Sequence, residues 1–264
     1  MLSGEKSSLA RLITLAERES PDIAKITEMI SSRLGKAYRV GITGPPGVGK
    51  STLADKLTLI LRKQGLEVGI IAVDPSSPLS GGAVLGDRIR MQQHYLDDGV
   101  FIRSMATRGS YGGLSRTVGT VIDLLDAFGK DIIIVETVGV GQMDTSIREL
   151  VDSVVLVLVP EFGNGIQLMK AGFLEIADIV VINKADRGGA EILANELRDE
   201  LETNLQRKPK SVILAQGIHN IGIEELHHEL EKRRQWLKPP QSVNLREEVA
   251  VPGERDEPGE KTRI

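Results

Sequence analysis

A glycine-rich segment directly after a short β-branched run constrains the fold of this chain more than any other feature. The run covers residues 38–43, and the segment matches the pattern GxxxxGK[ST] with Gly44, Pro45, Pro46, Gly47, Val48, Gly49, Lys50, Ser51 and Thr52. The glycines let backbone N–H groups curl around a phosphate, because a side chain would block the close approach and the required φ values. The pattern predicts a strand, a phosphate-binding loop and a helix in that order.

The end of this segment predicts that a nucleotide is bound. Lys50 supplies a point charge for the β- and γ-phosphates, and the Ser51 hydroxyl is a ligand for Mg²⁺. The helix that begins at Lys50 adds the positive end of its dipole. The alternative is a glycine-rich turn that contains a lysine by coincidence, and the strand–loop–helix context argues against it.

Short apolar runs alternate with amphipathic segments along most of the chain. The predicted strands cover residues 38–43, 67–73, 100–104, 131–136, 153–159, 178–183 and 211–214. The predicted helices among them cover residues 50–64, 115–128, 145–151, 166–176, 189–204 and 223–237. Continuous apolar runs are typical of strands buried on both faces of a parallel sheet. The alternation predicts an α/β fold with a doubly wound, mostly parallel sheet, as in P-loop nucleoside triphosphatases.

Two helices and a tail flank this predicted sheet. Residues 8–18 carry apolar side chains on one helical face, and Ser20 and Pro21 predict the start of a second helix that ends at Gly35. Beyond Pro239 the chain is rich in Pro, Glu and Arg without periodicity, which is typical of disorder. We therefore predict an N-terminal helical extension over 1–36, a P-loop domain over 37–237 and a disordered tail over 238–264.

Composition excludes several classes of function. The 264-residue chain has 33 basic and 37 acidic residues, a formal net charge of −4 and 3% aromatic residues. This balance gives no electrostatic basis for binding nucleic acid or an anionic membrane. The absence of cysteine excludes disulfides and thiolate metal sites. No apolar run reaches the roughly 18 residues of a membrane helix, and the first residues lack the apolar segment of a signal peptide, so we expect a cytoplasmic protein.

A second motif follows the strand predicted over 178–183, and it consists of Asn183, Lys184, Ala185 and Asp186. The Asp186 carboxylate accepts from both N1–H and the exocyclic amine of guanine, whereas adenine would leave it facing an acceptor. Asn183 and Lys184 are expected to brace this loop, with the lysine stem over the base. After the next strand, one backbone N–H is expected to meet the guanine oxygen; the candidates are Gln216, Gly217 and Ile218.

Acidic residues end two further strands, at the sheet edge where open parallel sheets bind ligands. We expect Glu136 to reach Mg²⁺ through water and the Gly139 amide to sense the γ-phosphate. Asp74 and Asp87 are candidates for holding the metal or the attacking water; the alternative for Asp74 is an Asp-Pro turn cap, and for Asp87 a role away from the site. Val140 follows Gly139 where many small GTPases have glutamine, so slow intrinsic hydrolysis is expected.

Three weaker features leave their alternatives open. Arg103 and Arg108 flank a glycine-rich loop over 108–113, which either closes over phosphates or is a solvated hinge. The segment 161–165 is either a switch or a plain connection. The remaining candidates are histidines: surface placement is predicted for His227 and His228, and no role is assigned to His94 and His219.

Taken together, these motifs resemble the MeaB/ArgK family. The resemblance covers residues 8–237 and rests on Ser8–Thr14, the phosphate loop, VDPSSPLSGGAVLGDRIRM at 73–91, ETVGVGQ at 136–142, and NKAD. Members are accessory GTPases of adenosylcobalamin-dependent methylmalonyl-CoA mutase. The resemblance implies a site for GTP/GDP and Mg²⁺ in a domain of the same class as the signal-recognition-particle and nickel-insertion GTPases. It also implies a protein that is often dimeric and that gates cofactor loading or protection of the mutase.

The resemblance also assigns nucleotide contacts to individual residues, and it leaves three rival functions open. It implies nucleotide contacts at Gly44–Thr52, Asp74, Asp87, Glu136, Gly139, Asn183, Lys184 and Asp186. This chain departs from the family at Asn164, where an acidic residue is common, and in its short Pro-rich tail, where many members carry a helical dimerisation arm. The rival functions are a metal-insertion GTPase, a small-molecule kinase or transport ATPase with the same loop, and a non-hydrolysing binding module.

Overall fold

A computed structural model describes residues 1–2, 4–74, 91–106, 116–137, 146–162, 173–203 and 211–237. Seven strands form one sheet in the order β3-β2-β4-β1-β5-β6-β7, and every pairing between them is parallel. The strands are β1 (Tyr38–Thr43), β2 (Val68–Asp74), β3 (Val100–Ala106), β4 (Ile132–Glu136), β5 (Ser153–Leu158), β6 (Ile179–Ile182) and β7 (Ser211–Leu214). This topology confirms the predicted doubly wound α/β fold.

Helices connect and flank these strands. They are α1 (Lys6–Glu17), α2 (Asp22–Ile30), α3 (Lys50–Lys63), α4 (Arg116–Phe128), α5 (Ile147–Leu150), α6 (Phe173–Ile176), α7 (Ala190–Thr203) and α8 (Ile223–Leu237). Short 3₁₀ turns occupy Ser31–Arg33, Gln92–His94, Pro160–Phe162 and Gly217–His219. None of the helices in the described ranges combines the length and the apolar character that crossing a membrane requires.

Most predicted elements match the observed ones closely, but the second N-terminal helix ends at Ile30 and is followed by a 3₁₀ turn at Ser31–Arg33, whereas the sequence predicts that it ends at Gly35. β3 extends two residues beyond the predicted 100–104, because Met105 and Ala106 continue the pairing with β2. The helix predicted over 145–151 is only the single turn α5, and of the one predicted over 166–176 the structure describes α6. The second N-terminal helix begins at Asp22, whose amide donates to Ser20 Oγ at 3.4 Å.

Both faces of the sheet are buried, which explains the continuous apolar runs. In β4, Ile132 and Ile134 belong to the core that contains α3 and α8, whereas Ile133 and Val135 belong to the core that contains α1 and α4. Side chains alternate between faces along a strand, so a strand covered on both sides needs an apolar residue at every position. A third core joins β5 and β6 to α7.

The N-terminal helices share the second of these cores and pack on α4. Their connection to β1 is held by the buried carboxylate of Asp126, which accepts from the amides of Gly35 at 2.7 Å, Lys36 at 3.2 Å and Ala37 at 3.0 Å. Gly35 has φ +81°, a conformation that glycine adopts at little cost. The domain division at residue 36 stays a prediction, and the tail 238–264 lies outside the described residues.

Candidate functional site

The carboxyl ends of the strands converge on the loop that follows β1. β1 is the central strand, with β4 and β2 on one side and β5, β6 and β7 on the other. The acidic residues at the ends of β2 and β4 therefore lie on one side of this loop, and the segments after β6 and β7 lie on the other. This order separates a candidate phosphate and metal region from a candidate base region, with the glycine-rich loop between them.

The glycines of the loop allow approaches that a side chain would prevent. Gly44 has φ +145°, and a Cβ there would lie 2.1 Å from the main-chain oxygen of Val157. Gly49 has φ +99°, and a Cβ there would lie 2.3 Å from Asn183 Nδ2. Gly47 has φ +76° with open space around it, so only its backbone conformation favours glycine. The loop is therefore packed tightly against β5 and against the segment after β6.

Lys50 begins α3 and directs its ammonium group back over the loop. Its Nζ donates to the main-chain oxygens of Gly44 at 2.9 Å and Pro45 at 3.0 Å, and the residue is only 6% exposed. A buried cation and the amino-terminal end of α3 thus face the same loop. Both features favour an anion at that position.

Two candidate metal ligands meet beside this lysine. Ser51 Oγ donates to Glu136 Oε1 at 2.6 Å, and both residues are buried. Mg²⁺ prefers such oxygen donors and is usually held by one or two protein ligands together with waters and substrate phosphates, so the pair fits this ion. Asp74 ends β2 but its side chain is not described, and Asp87 and Gly139 lie outside the described residues.

Asn183 joins three segments at the base region. The residue is 3% exposed; its Nδ2 donates to the main-chain oxygen of Val48 at 2.8 Å, and its Oδ1 accepts from the Gly217 amide at 3.0 Å. Lys184, in the left-handed region at φ +57°, donates through Nζ to the main-chain oxygen of Gly47 at 2.7 Å. Asp186 is exposed. The geometry matches the expected bracing of the loop and leaves the Asp186 carboxylate accessible to a ligand.

The structure distinguishes among the three amides considered for the guanine oxygen. The Gln216 amide donates to the main-chain oxygen of Ile221 at 3.0 Å, and the Gly217 amide donates to Asn183. The Ile218 amide has no hydrogen-bond partner within the described ranges, and its side chain is exposed. Ile218 is therefore the strongest candidate, a choice that the sequence left open.

Two of the weaker candidates have structural partners. The Arg103 guanidinium, which flanks the loop 108–113 in the sequence, pairs with Glu17 and with Thr14 Oγ1 on α1, and the choice between the two alternatives for that loop stays a prediction. Glu161 pairs with Arg187, which directly follows Asp186, and this hydrogen bond lowers the pKa of Glu161. Arg108, the loop 109–113 and the segment 163–172 lie outside the described residues.

The histidines divide into surface and buried groups. His228 is exposed and His227 is half-buried, with its Nε2 3.2 Å from Gln64 Nε2. His94, to which the sequence assigned no role, is buried against Asp55 of α3. The only sequence signal for this contact is the placement of Asp55 one helical turn after Ser51, which puts both on one face of the helix.

Comparison with known proteins agrees with this geometry. A family model described as methylmalonyl Co-A mutase-associated GTPase MeaB matches residues 9–250, which include the phosphate loop, the strand ends and the motif at 183–186. The chain belongs to the MeaB family. This confirms the resemblance drawn from the sequence motifs.

Named relatives extend the match. A relative from Pyrococcus abyssi, named a putative GTPase, is 51% identical over 244 residues, which are 90% of this chain and 75% of the relative. GTPase ArgK of Escherichia coli is 35% identical over 235 residues, 85% of this chain and 71% of its own. The solved structure of an LAO/AO transport system kinase has a TM-score of 0.70 at 29% identity, covering 89% of this chain and 72% of that one. This MeaB-family chain is a P-loop GTPase.

Proposed function

We propose that this GTPase binds GTP and GDP with Mg²⁺ at the loop 44–52, hydrolyses GTP slowly on its own, and acts in the cytoplasm as an accessory protein of an adenosylcobalamin-dependent acyl-CoA mutase. The observation that carries the nucleotide part is the 2.6 Å contact of Ser51 with Glu136 beside the buried Lys50. The family description carries the mutase part.

In the proposed reaction, the chain mainly positions the phosphates. The Lys50 ammonium exchanges the oxygens of Gly44 and Pro45 for β- and γ-phosphate oxygens, and the loop amides surround the phosphates. Ser51 Oγ would hold the metal directly, and Glu136 would hold it through a water. Mg²⁺, when bound, offsets the charge on the phosphate oxygens.

Hydrolysis then needs a water held in line with the γ-phosphate. The water oxygen bonds to the γ-phosphorus while the bond from that phosphorus to the β–γ bridging oxygen breaks, so that GDP and phosphate leave and the water proton passes to solvent or phosphate. Asp74, Asp87 and the Gly139 amide remain our proposed contacts on this side. Because Val140 replaces the usual water-positioning glutamine, the intrinsic rate is expected to be low.

Asp186 tests the base assignment. The Asp186→Asn variant is expected to shift preference from GTP towards xanthosine triphosphate, because the amide donates to the xanthine oxygen where the carboxylate accepted from the guanine amine. The wild-type preference for GTP over ATP is expected to be at least ~10³-fold, given the cost of an unpaired buried acceptor. Calorimetric titration with the three nucleotides measures both effects. Equal affinity of the wild type for GTP and ATP would contradict the assignment of Asp186 to guanine.

The mutase role is tested by the rate of phosphate release with and without the cognate mutase. A partner that supplies a missing donor or charge in trans accelerates hydrolysis by up to ~10³–10⁵-fold, so at least ~10-fold acceleration is expected here. Lys50→Ala, expected to lose most nucleotide affinity, is the control for contaminating activity. No acceleration at saturating mutase, with binding confirmed independently, rejects the accessory role and leaves the GTPase.

Phosphoryl transfer to a small molecule is the second candidate, because a solved relative is named as a transport system kinase. The two candidates differ in their product. Hydrolysis releases one inorganic phosphate for each GTP consumed, whereas a kinase retains the phosphoryl group on an acceptor. Phosphate release that equals GTP consumption, both with and without added small-molecule acceptors, favours hydrolysis.

A further inference from the structure

A polar cluster consists of the buried Asp55, on the helix that begins at the phosphate loop, together with the buried His94 and the exposed Gln93. Asp55 is 6% and His94 is 3% exposed. His94 Nε2 lies 3.1 Å from Asp55 Oδ1 and 3.3 Å from the main-chain oxygen of Asp55, and Gln93 Nε2 donates to Asp55 Oδ2 at 2.5 Å. The cluster thus joins α3 to the 3₁₀ turn that precedes β3.

This polar cluster is costly where it lies. Leu53 and Leu57 of α3 and Met91, just before the turn, are fully buried members of the core that contains α3 and α8. Burying a carboxylate is unfavourable unless it is paired. Burial acts to raise the pKa of Asp55, but hydrogen bonds from His94 and Gln93 bring it below its ordinary value, so the carboxylate stays charged. Such a pair contributes a defined geometry more than stability.

The cluster acts on the same face of α3 as the candidate metal ligand. At about 100° per residue, Asp55 is rotated by about 40° from Ser51 around the helix, and Arg62 by about 20°. Ser51 contacts Glu136 at the end of β4. Arg62 pairs with Asp97 through Nε at 2.9 Å and Nη2 at 2.8 Å. Contacts of Ser51, Asp55 and Arg62 therefore hold one face of α3 at three successive positions. Asp55 is the position that follows Ser51, one turn further from the phosphate loop.

Rotation of α3 would move the Ser51 hydroxyl. Side-chain atoms lie roughly 5 Å from a helix axis, so a rotation of roughly 20° displaces them by roughly 1.7 Å. A misplacement of about 1 Å is enough to reduce an enzymatic rate by about 10²-fold. The 2.6 Å contact of Ser51 with Glu136 would not survive such a displacement.

We propose that Asp55 is a positioning residue of the nucleotide site: by holding Gln93 and His94 it sets the rotation of α3, and with it the direction of the Ser51 hydroxyl towards Glu136. The inference rests on the proposed role of Ser51 and Glu136 at Mg²⁺. It assigns His94, which the sequence left without a role, as the main partner of Asp55.

The experiment uses the full chain and two readouts. The first is the fold gain in GDP affinity that Mg²⁺ produces, measured by calorimetry; the second is amide hydrogen exchange in the first two turns of α3 without nucleotide. Asp55→Ala and His94→Leu are expected to reduce the Mg²⁺-linked gain at least ~5-fold and to speed exchange at least ~10-fold. Asp55→Asn replaces Asp55→Ala if the latter fails to fold.

Two matched variants separate positioning from stability. His94→Gln keeps a donor towards Asp55 and is expected to retain most of the wild-type gain. Asp97→Asn weakens the contact with Arg62, far from the loop, and is expected to lower the melting temperature without changing the gain. The inference is overturned if Asp55→Ala keeps the wild-type gain in GDP affinity with Mg²⁺, or if Asp97→Asn loses as much of this gain as Asp55→Ala does. If Mg²⁺ produces no gain in the wild type, the proposed metal role fails, and exchange alone decides whether Asp55 orients α3.

Discussion

Single buried polar side chains connect neighbouring elements at both ends of the sheet. At the nucleotide edge, Asn183 ties the phosphate loop to the segment after β7, and Ser51 meets Glu136. At the opposite edge, the Tyr38 hydroxyl lies 2.6 Å from Ser153 Oγ, and Ser153 Oγ accepts from Arg233 Nε at 3.0 Å. Each of these contacts joins residues that are far apart in the sequence, so each fixes the relative position of two elements.

Tyr38 gives a prediction for alkaline stability. Burial raises the pKa of Tyr38 to about 12. The folded state therefore favours the neutral phenol. The contribution of this phenol to the free energy of unfolding is fully present below pH 10, and it is lost as the pH rises from 10 towards 12. The loss amounts to about 3 kcal/mol for a shift of two units. The free energy of unfolding, measured in urea from pH 8 to 12, should fall less steeply in Tyr38→Phe than in the wild type.

The half-exposed Tyr95 supplies the control for this experiment. Tyr95→Phe removes a phenol from the same chain, but from a side chain that water reaches, and should leave the alkaline slope unchanged. If Tyr38→Phe shows the wild-type slope, the alkaline loss of stability comes from other groups and the assignment to Tyr38 is wrong.

At the scale of elements, the docking of α1 and α2 depends on the carboxylate of Asp126 on α4. It accepts from three successive amides before β1, and it pairs with Arg39 at 3.2 Å. Asp126→Ala leaves these amides without their acceptor and removes one of the two carboxylates beside the half-buried Arg39 guanidinium, so the free energy of unfolding should fall by about 3 kcal/mol. Urea denaturation measures this, and amide exchange in α1 and α2 should rise well above that in α8.

Asp123 provides the matched comparison on the same helix. It also pairs with Arg39, at 3.3 Å, but its side chain is 28% exposed and it holds no backbone amide in the described part of the chain. Asp123→Asn should therefore cost less than about 1 kcal/mol. Equal losses from the two variants would mean that the charge on Arg39, and not the amides, accounts for the effect.

At the scale of the whole molecule, a bound nucleotide is expected to contact elements from both halves of the sheet and so to stabilise the entire chain. GDP at about 100 times its dissociation constant adds about 2.7 kcal/mol, which corresponds to roughly 5–10 °C in melting temperature for a domain of this size. Removing Mg²⁺ with EDTA should abolish part of this shift. Thermal melts with GDP, with and without EDTA, measure it.

Glu136→Gln identifies the origin of the metal-dependent part. Glu136 lies beside Ser51 and away from the base region. The variant should therefore keep the part of the GDP-induced shift in melting temperature that EDTA does not remove, and it should lose most of the part that EDTA removes. A Glu136→Gln protein whose shift in melting temperature responds to EDTA like the wild type would show that Glu136 is only a strand-end residue.

Local patterns predicted the strands, the phosphate loop and the position of the guanine motif, because each depends on residues that are neighbours in the sequence. An apolar run buried on both faces or a glycine-lysine loop carries its signature within about ten residues. The parallel direction of the strands then follows from the helical crossovers that the alternation of apolar runs and amphipathic segments predicts. Because the carboxyl ends of parallel strands share one edge of the sheet, the sequence also placed Glu136 and Asn183 at that edge.

Tertiary structure alone decided the contacts between residues without a shared pattern. It left the Ile218 amide as the candidate for the guanine oxygen, because the Gly217 amide donates to Asn183 and the Gln216 amide donates to Ile221. It turned Arg103 towards α1, 86 residues away in the chain from its partner Glu17. It also joined Asp55 to His94, 39 residues apart. No periodicity encodes such pairs, since they arise only when separate elements pack and a buried charge needs a partner.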